Sequence, residues 1–159
     1  MWVLRTLHKE ELLINLKKCT FLKKELVYLG YVILEEGLKM GPNKVHTIVN
    51  WPVPRNACEV RSFHGLASFY RKFIKNFSQI CAMLTDTFKG SKQPFKWTEA
   101  TDRNFKFLKK KITENPVLDL PSFDKVFQVE KDASGTTVGA VLSQEQRPVA
   151  YFSEKLNEA

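Results

Sequence analysis

NACEVRSFHGLASFYRKFIKNF, from Asn56 to Phe77, separates into two faces on one helical wheel. At about 100° per residue, Val60, Phe63, Leu66, Ala67, Tyr70, Phe73, Ile74 and Phe77 fall on an apolar side. Arg61, Gly65, Ser68, Lys72 and Lys75 fall on the other. Two small residues between basic ends would let a polyanion approach the helix backbone while cations meet its phosphates. An ordinary amphipathic helix with a solvated charged face is the competing reading. Asn56 followed by Glu59 has the spacing of a capping box and marks the helix start.

The charge of the chain favours the first reading. The net charge is +8 over 159 residues, and +7 of it lies in residues 37–92, against +1 in 1–36, +2 in 93–121 and −2 in 122–159. Even spreading would speak only for solubility, whereas concentration beside the two-faced helix points to nucleic acid. A patch for anionic membranes is the weaker alternative, because the apolar face carries core-sized aromatics.

At 43% hydrophobic and 26% charged residues, the chain has the balance of one folded domain rather than of a disordered segment. No apolar run reaches the roughly 18 residues of a membrane span, and MWVLRTLHKEELL lacks a signal-peptide layout, so the expected location is intracellular, cytoplasmic or nuclear, and not secreted. Cys19, Cys58 and Cys81 are odd in number and far apart, as are His8, His46 and His64. Neither set reads as a disulfide frame or a zinc site.

The pattern predicts a helix end over residues 1–11, strands around Leu12–Leu16, Cys19–Leu22 and Leu26–Ile33, a turn at Glu35-Glu36-Gly37 and a brief strand at Lys39-Met40. Helices follow at Asn43–Trp51, Asn56–Phe77, Ser78–Lys89 and Thr98–Glu114, with a loop at residues 90–94. From Phe123 the period changes to two, giving strands Val126–Ala133, Val138–Gln144 and Arg147–Phe152 in an antiparallel meander. The fold class is α+β.

The run VRSFHGLASFYRKFIKNFS, preceded by KKCTFLKKELVYLGYVI and NWPVP and followed by FKWTEA, NPVLDLPSF, KDASGTTVGAVLSQ and RPVAYFSEKLN, resembles the Pol polyprotein of gypsy-class LTR retrotransposons, plant elements above all. The resemblance runs over essentially the whole chain in unbroken order. It implies the end of a reverse transcriptase palm at 1–40, thumb helices at 41–92, a helical connector at 93–121, and the N-terminal strands of an incomplete RNase H-like domain at 122–159.

What it implies for individual residues follows the matching positions. Tyr28, Leu29, Gly30 and Tyr31 resemble the primer-grip hairpin that holds the primer terminus. Arg61, Gly65 and Phe69 match the minor-groove track of the thumb, Phe69 being equally placed for the core; Ser68, Lys72 and Lys75 extend that nucleic-acid-binding set. Asp132 in KDASG is similar to the first of four RNase H carboxylates that hold two Mg²⁺ ions, which take hard oxygen ligands. Family members usually carry Leu where His64 stands, and relatives often have Cys or Thr where Lys131 stands.

The sequence holds no Asp-Asp pair. By the resemblance, the polymerase Tyr-x-Asp-Asp hairpin would precede Met1 and the remaining RNase H carboxylates would follow Ala159, so Asp132 would be orphaned as a metal ligand. The expected cofactor of this chain is therefore none, Mg²⁺ belonging to the parent enzyme. The expected function is binding of a primer–template duplex, RNA:DNA or DNA, without polymerase or RNase H turnover. An inert product of a decayed element, and an RNase H completed by another chain, are the alternatives. Strand Val126–Ala133 is expected to present an open edge and to drive self-association.

Overall fold

Leu29 and Gly30 both adopt positive φ, at 48° and 83°, the backbone of a two-residue turn that matches strand twist. They divide the expected strand Leu26–Ile33 into a hairpin of β1 (Glu25–Tyr28) and β2 (Tyr31–Leu34), to which β3 (Gly37–Met40) adds antiparallel. The computed structural model describes residues 2–88, 94–114 and 116–156. Upstream of the hairpin lie α1 (Trp2–Lys9), which buries no residue, and a 3-10 turn at Leu16–Lys18. The strands expected at Leu12–Leu16 and Cys19–Leu22 do not form: a strand is made by its partner, none lies beside these segments among the described residues, and Leu13 and Leu22 are fully exposed.

The helical block follows as α2 (Pro42–Val49), α3 (Ala57–Ser68), α4 (Phe77–Asp86) and α5 (Glu99–Thr113). The start of α3 is capped as the sequence predicts: Asn56 Oδ1 accepts the Glu59 N–H at 2.9 Å. Glu59 reaches back one residue further than expected, accepting the Arg55 N–H at 2.7 Å. Such a cap contributes about 1 kcal/mol. On α5, Thr98 caps the start at 3.1 Å, and Thr101, Phe105, Leu108 and Ile112 recur at helical spacing and are buried. Lys109 holds its Nζ 4.4 Å from the Phe105 ring centroid and donates from it to the Trp51 carbonyl, tying α5 to the end of α2.

The long helix expected over Asn56–Phe77 is in fact broken. α3 ends at Ser68, Tyr70 leaves helical dihedrals at φ −103° and ψ 12°, a 3-10 turn covers Arg71–Phe73, and Asn76 takes the left-handed region at φ 57°. The apolar residues keep their roles, since Val60, Phe63, Ala67, Tyr70, Phe73, Ile74 and Phe77 all enter one core with Ile48, Leu84, Phe105 and Leu108. Their spacing stays near-helical across the break, so the wheel carries no sign of it. Lys89 and the loop at 90–93 lie outside the described residues.

The meander forms as expected, with β4 (Gln128–Ala133), β5 (Thr137–Gln144) and β6 (Arg147–Lys155) in that order. It docks on the helices through Ser78, whose N–H donates to Ser153 Oγ at 2.9 Å and whose Oγ donates to the Ser153 carbonyl at 2.7 Å. The two sheets meet at Leu118, which exchanges both main-chain hydrogen bonds with Leu38, while Asp119 N–H donates to the Pro148 carbonyl at 2.8 Å. The far face of the meander exposes Val129 and Phe152, and β4 is an edge strand.

His64 lies half-buried near the rings of Phe77 and Phe88, and burial holds its imidazole below the ordinary value of 6.5. The unfolded chain takes up the proton near 6.5 while the folded chain resists it. Stability is therefore complete above pH 6.5 and declines as pH falls below it. Urea unfolding across this range should show the decline, and His64→Leu should flatten it; an unchanged slope in the variant would contradict this account.

Candidate nucleic-acid interface

The hairpin turn is locked onto the end of α3 through one acceptor. The Gly30 carbonyl receives the Tyr70 hydroxyl at 2.6 Å and the Gly41 N–H at 2.9 Å. Burial raises the Tyr70 phenol above its ordinary value, so it stays protonated and able to donate. Space there is closed: a Cβ on Gly41 would lie 2.4 Å from the Gly30 oxygen, and one on Gly30 would meet Lys44 Nζ at 3.2 Å and Phe69 Cε1 at 3.3 Å.

Around this lock, aromatic rings and cations alternate. Tyr31 stacks on Phe69 with centroids 4.9 Å apart, and its hydroxyl donates to the Phe69 carbonyl at 3.2 Å. Lys72 Nζ sits 4.2 Å from the Tyr31 centroid and Lys44 Nζ sits 3.8 Å from that of Phe69, both within cation–π range. Partial burial lowers the Lys72 pKa. Tyr28 and Leu29 project from the turn, 57% and 70% exposed.

The structure thus gathers Gly30, Tyr31, Phe69 and Lys72 into one cluster, with Tyr28 and Leu29 at its rim. Arg61, Gly65 and Ser68 continue from it along α3 at i, i+4, i+7 spacing. A Cβ on Gly65 would meet nothing within 4 Å. Packing within the chain therefore gives no reason for a helix-interior glycine, which costs about 1 kcal/mol relative to alanine. Lys44, Gly41 and Tyr70 were not singled out from sequence as site residues. Tyr70 was hidden in the core stripe, and Lys44 and Gly41 lie outside the two-faced stretch.

Lys75 is the misplaced member. The break after α3 turns it away from Arg61, and it lines clefts against the meander with Glu130 and Asp132. Asp132 shares its strand face with Glu130 and borders a cavity of about 150 Å³ that also contains Lys75, Asn76 and Lys131. Two lysines beside a single pair of carboxylates do not suit a divalent cation, which needs several hard anionic or neutral oxygens. No group of three or more His, Cys, Asp or Glu fit to hold a metal occurs among the described residues. No helix among them is long and apolar enough to cross a membrane.

Residues 97–159 match the family described as an RNase H-like domain found in reverse transcriptase. The chain is 40% identical over 149 residues to the retrovirus-related Pol polyprotein of transposon 297 of Drosophila melanogaster, covering 91% of this chain and 14% of that protein. Identity to the Pol polyprotein of transposon gypsy from the same organism is 36%, covering 98% of this chain and 16% of the relative. An uncharacterized mitochondrial protein of Arabidopsis thaliana is 39% identical, with 79% of each chain covered. The chain therefore spans less than a fifth of the two polyproteins. Among solved structures, a foamy viral protease-reverse transcriptase in complex with RNA/DNA hybrid superposes with a TM-score of 0.80 at 27% identity, over 90% of this chain and 20% of that one. The same viral protein with dsDNA gives a TM-score of 0.83 at 26% identity, over 98% and 33%.

Removing only the Tyr70 hydroxyl tests the lock. Tyr70→Phe keeps the ring but leaves the Gly30 carbonyl with one donor, so chemical denaturation should show a loss of about 1 kcal/mol. Amide exchange should quicken at the Gly41 N–H. Unchanged exchange there would show that the hairpin is held by other contacts.

Proposed function

The chain belongs to the retrovirus-related Pol polyproteins of gypsy-class retrotransposons, and from that premise we propose that it grips a primer–template duplex, RNA:DNA or DNA, between the hairpin turn and the exposed face of α3. The observation that carries the reading is the convergence of Gly30, Tyr31, Phe69 and Lys72 at one end of the row formed by Arg61, Gly65 and Ser68. Lys72 and Arg61 meet phosphates, Gly65 lets the helix backbone approach the groove floor, and Tyr28 and Leu29 border the strand end. The foamy viral protein was solved with both kinds of duplex, which supports the same ligand class here.

On this reading residues 1–40 are the end of a palm, 41–92 the thumb, 93–121 a connector and 122–159 the opening strands of an RNase H-like domain. Asp132 stands where the parent domain has the first carboxylate of its Mg²⁺ site, but, with Lys75 and Lys131 alongside, it does not suit the cation without further ligands, and Lys75 serves the meander side. Pairing of copies along the outer edge of β4 is a further expected association.

Gly65→Ala separates folding from binding. The substitution meets no neighbour, so it should raise the melting temperature by an amount equivalent to about 1 kcal/mol while weakening duplex affinity. Arg61→Ala and Lys72→Ala should each reduce the slope of log affinity against log salt by roughly one unit. Gly65→Ala that stabilises without loss of affinity, or affinity independent of salt, would refute the groove-facing role of α3.

A further inference from the structure

The start of α4 and the middle of α5 flank an open groove of about 510 Å³. Its walls carry Lys75, Asn76 and Gln79 on one side and Asn104, Phe107 and Lys111 on the other, with no carboxylate among the described lining residues. Asn104, Phe107 and Lys111 recur along one face of α5. Phe107 is 45% exposed, although α5 buries Phe105 completely two residues earlier. Lys111 leans over the Phe107 ring at 5.5 Å.

We propose that this groove binds single-stranded nucleic acid, independently of the duplex face on α3. An exposed ring flanked by ammonium groups is the arrangement that takes one stacked base with its phosphates on either side, and side-chain amides offer donors and acceptors to base edges without fixing a sequence. A duplex is the poorer occupant, because its bases are stacked on one another and cannot reach Phe107. An acidic peptide would use the lysines and leave the ring without a planar partner. Three local carboxylates moderate the charge. Glu114 pairs with Lys111 at 2.9 Å, and Glu130 and Asp132 lie across the adjoining cleft from Lys75. A bound phosphate therefore competes with Glu114 for Lys111.

Fluorescence anisotropy with a labelled oligothymidylate, measured on the full chain, tests the site. Phe107→Ala should weaken oligonucleotide binding about tenfold, the loss of one base stack. Lys75→Ala should weaken it and lower its salt slope by about one unit. Glu114→Gln, which frees Lys111, should strengthen it. Arg61→Ala and Lys72→Ala should leave it unchanged, so failure of the duplex reading and failure of this one are separable. Equal affinity for the oligonucleotide in Phe107→Ala and the unaltered chain would overturn the proposal. So would its loss in Arg61→Ala, or binding of an acidic peptide that Phe107→Ala does not alter.

Discussion

A single backbone oxygen organises the face of this molecule that hairpin and α3 share. The Gly30 carbonyl takes two hydrogen bonds, from the Tyr70 hydroxyl and the Gly41 N–H. With both in place, the turn between β1 and β2 rests against the end of α3 and the start of α2. Close approach makes this possible, since Gly41 has no room for a Cβ against the Gly30 oxygen and Gly30 holds a φ of 83° that other residues rarely adopt. The same contact explains where α3 stops. Tyr70 leaves helical geometry where its hydroxyl meets the hairpin, and its ring still fills the core.

The consequences propagate in two directions. Toward the hairpin, the stop at Ser68 brings Phe69 under Tyr31 and Lys72 over it, forming an aromatic and cationic surface from segments about 40 residues apart in sequence. Toward the meander, the turn through Asn76 redirects Lys75 and starts α4 where Ser78 can hold Ser153. One break in a helix thus separates two faces that a continuous helix would have merged.

Much of this was legible in the chain. The cap at Asn56, the helix over Thr98–Glu114 and the period-two run after Phe123 each express local physics, and each appears where the pattern places it. The grouping of Arg61, Gly65 and Ser68 also followed from spacing alone. What spacing could not reveal was the break at Tyr70, because core residues recur at similar intervals on both sides of it. Nor could it reveal Lys44, whose position over Phe69 depends on the tertiary meeting of α2 with the hairpin. The apolar residues between Leu12 and Leu22 misled for a related reason: strand composition makes no strand without a neighbour to pair with.

In the proposed function, hairpin turn and α3 form one binding surface. Backbone amide shifts recorded while an RNA:DNA hybrid is titrated into the labelled chain measure this directly. Leu29, Gly30, Gly65, Ser68 and Lys72 should shift together along one saturation curve, while β5 and β6 stay still. Shifts confined to the meander, or hairpin and α3 responding at different hybrid concentrations, would contradict it.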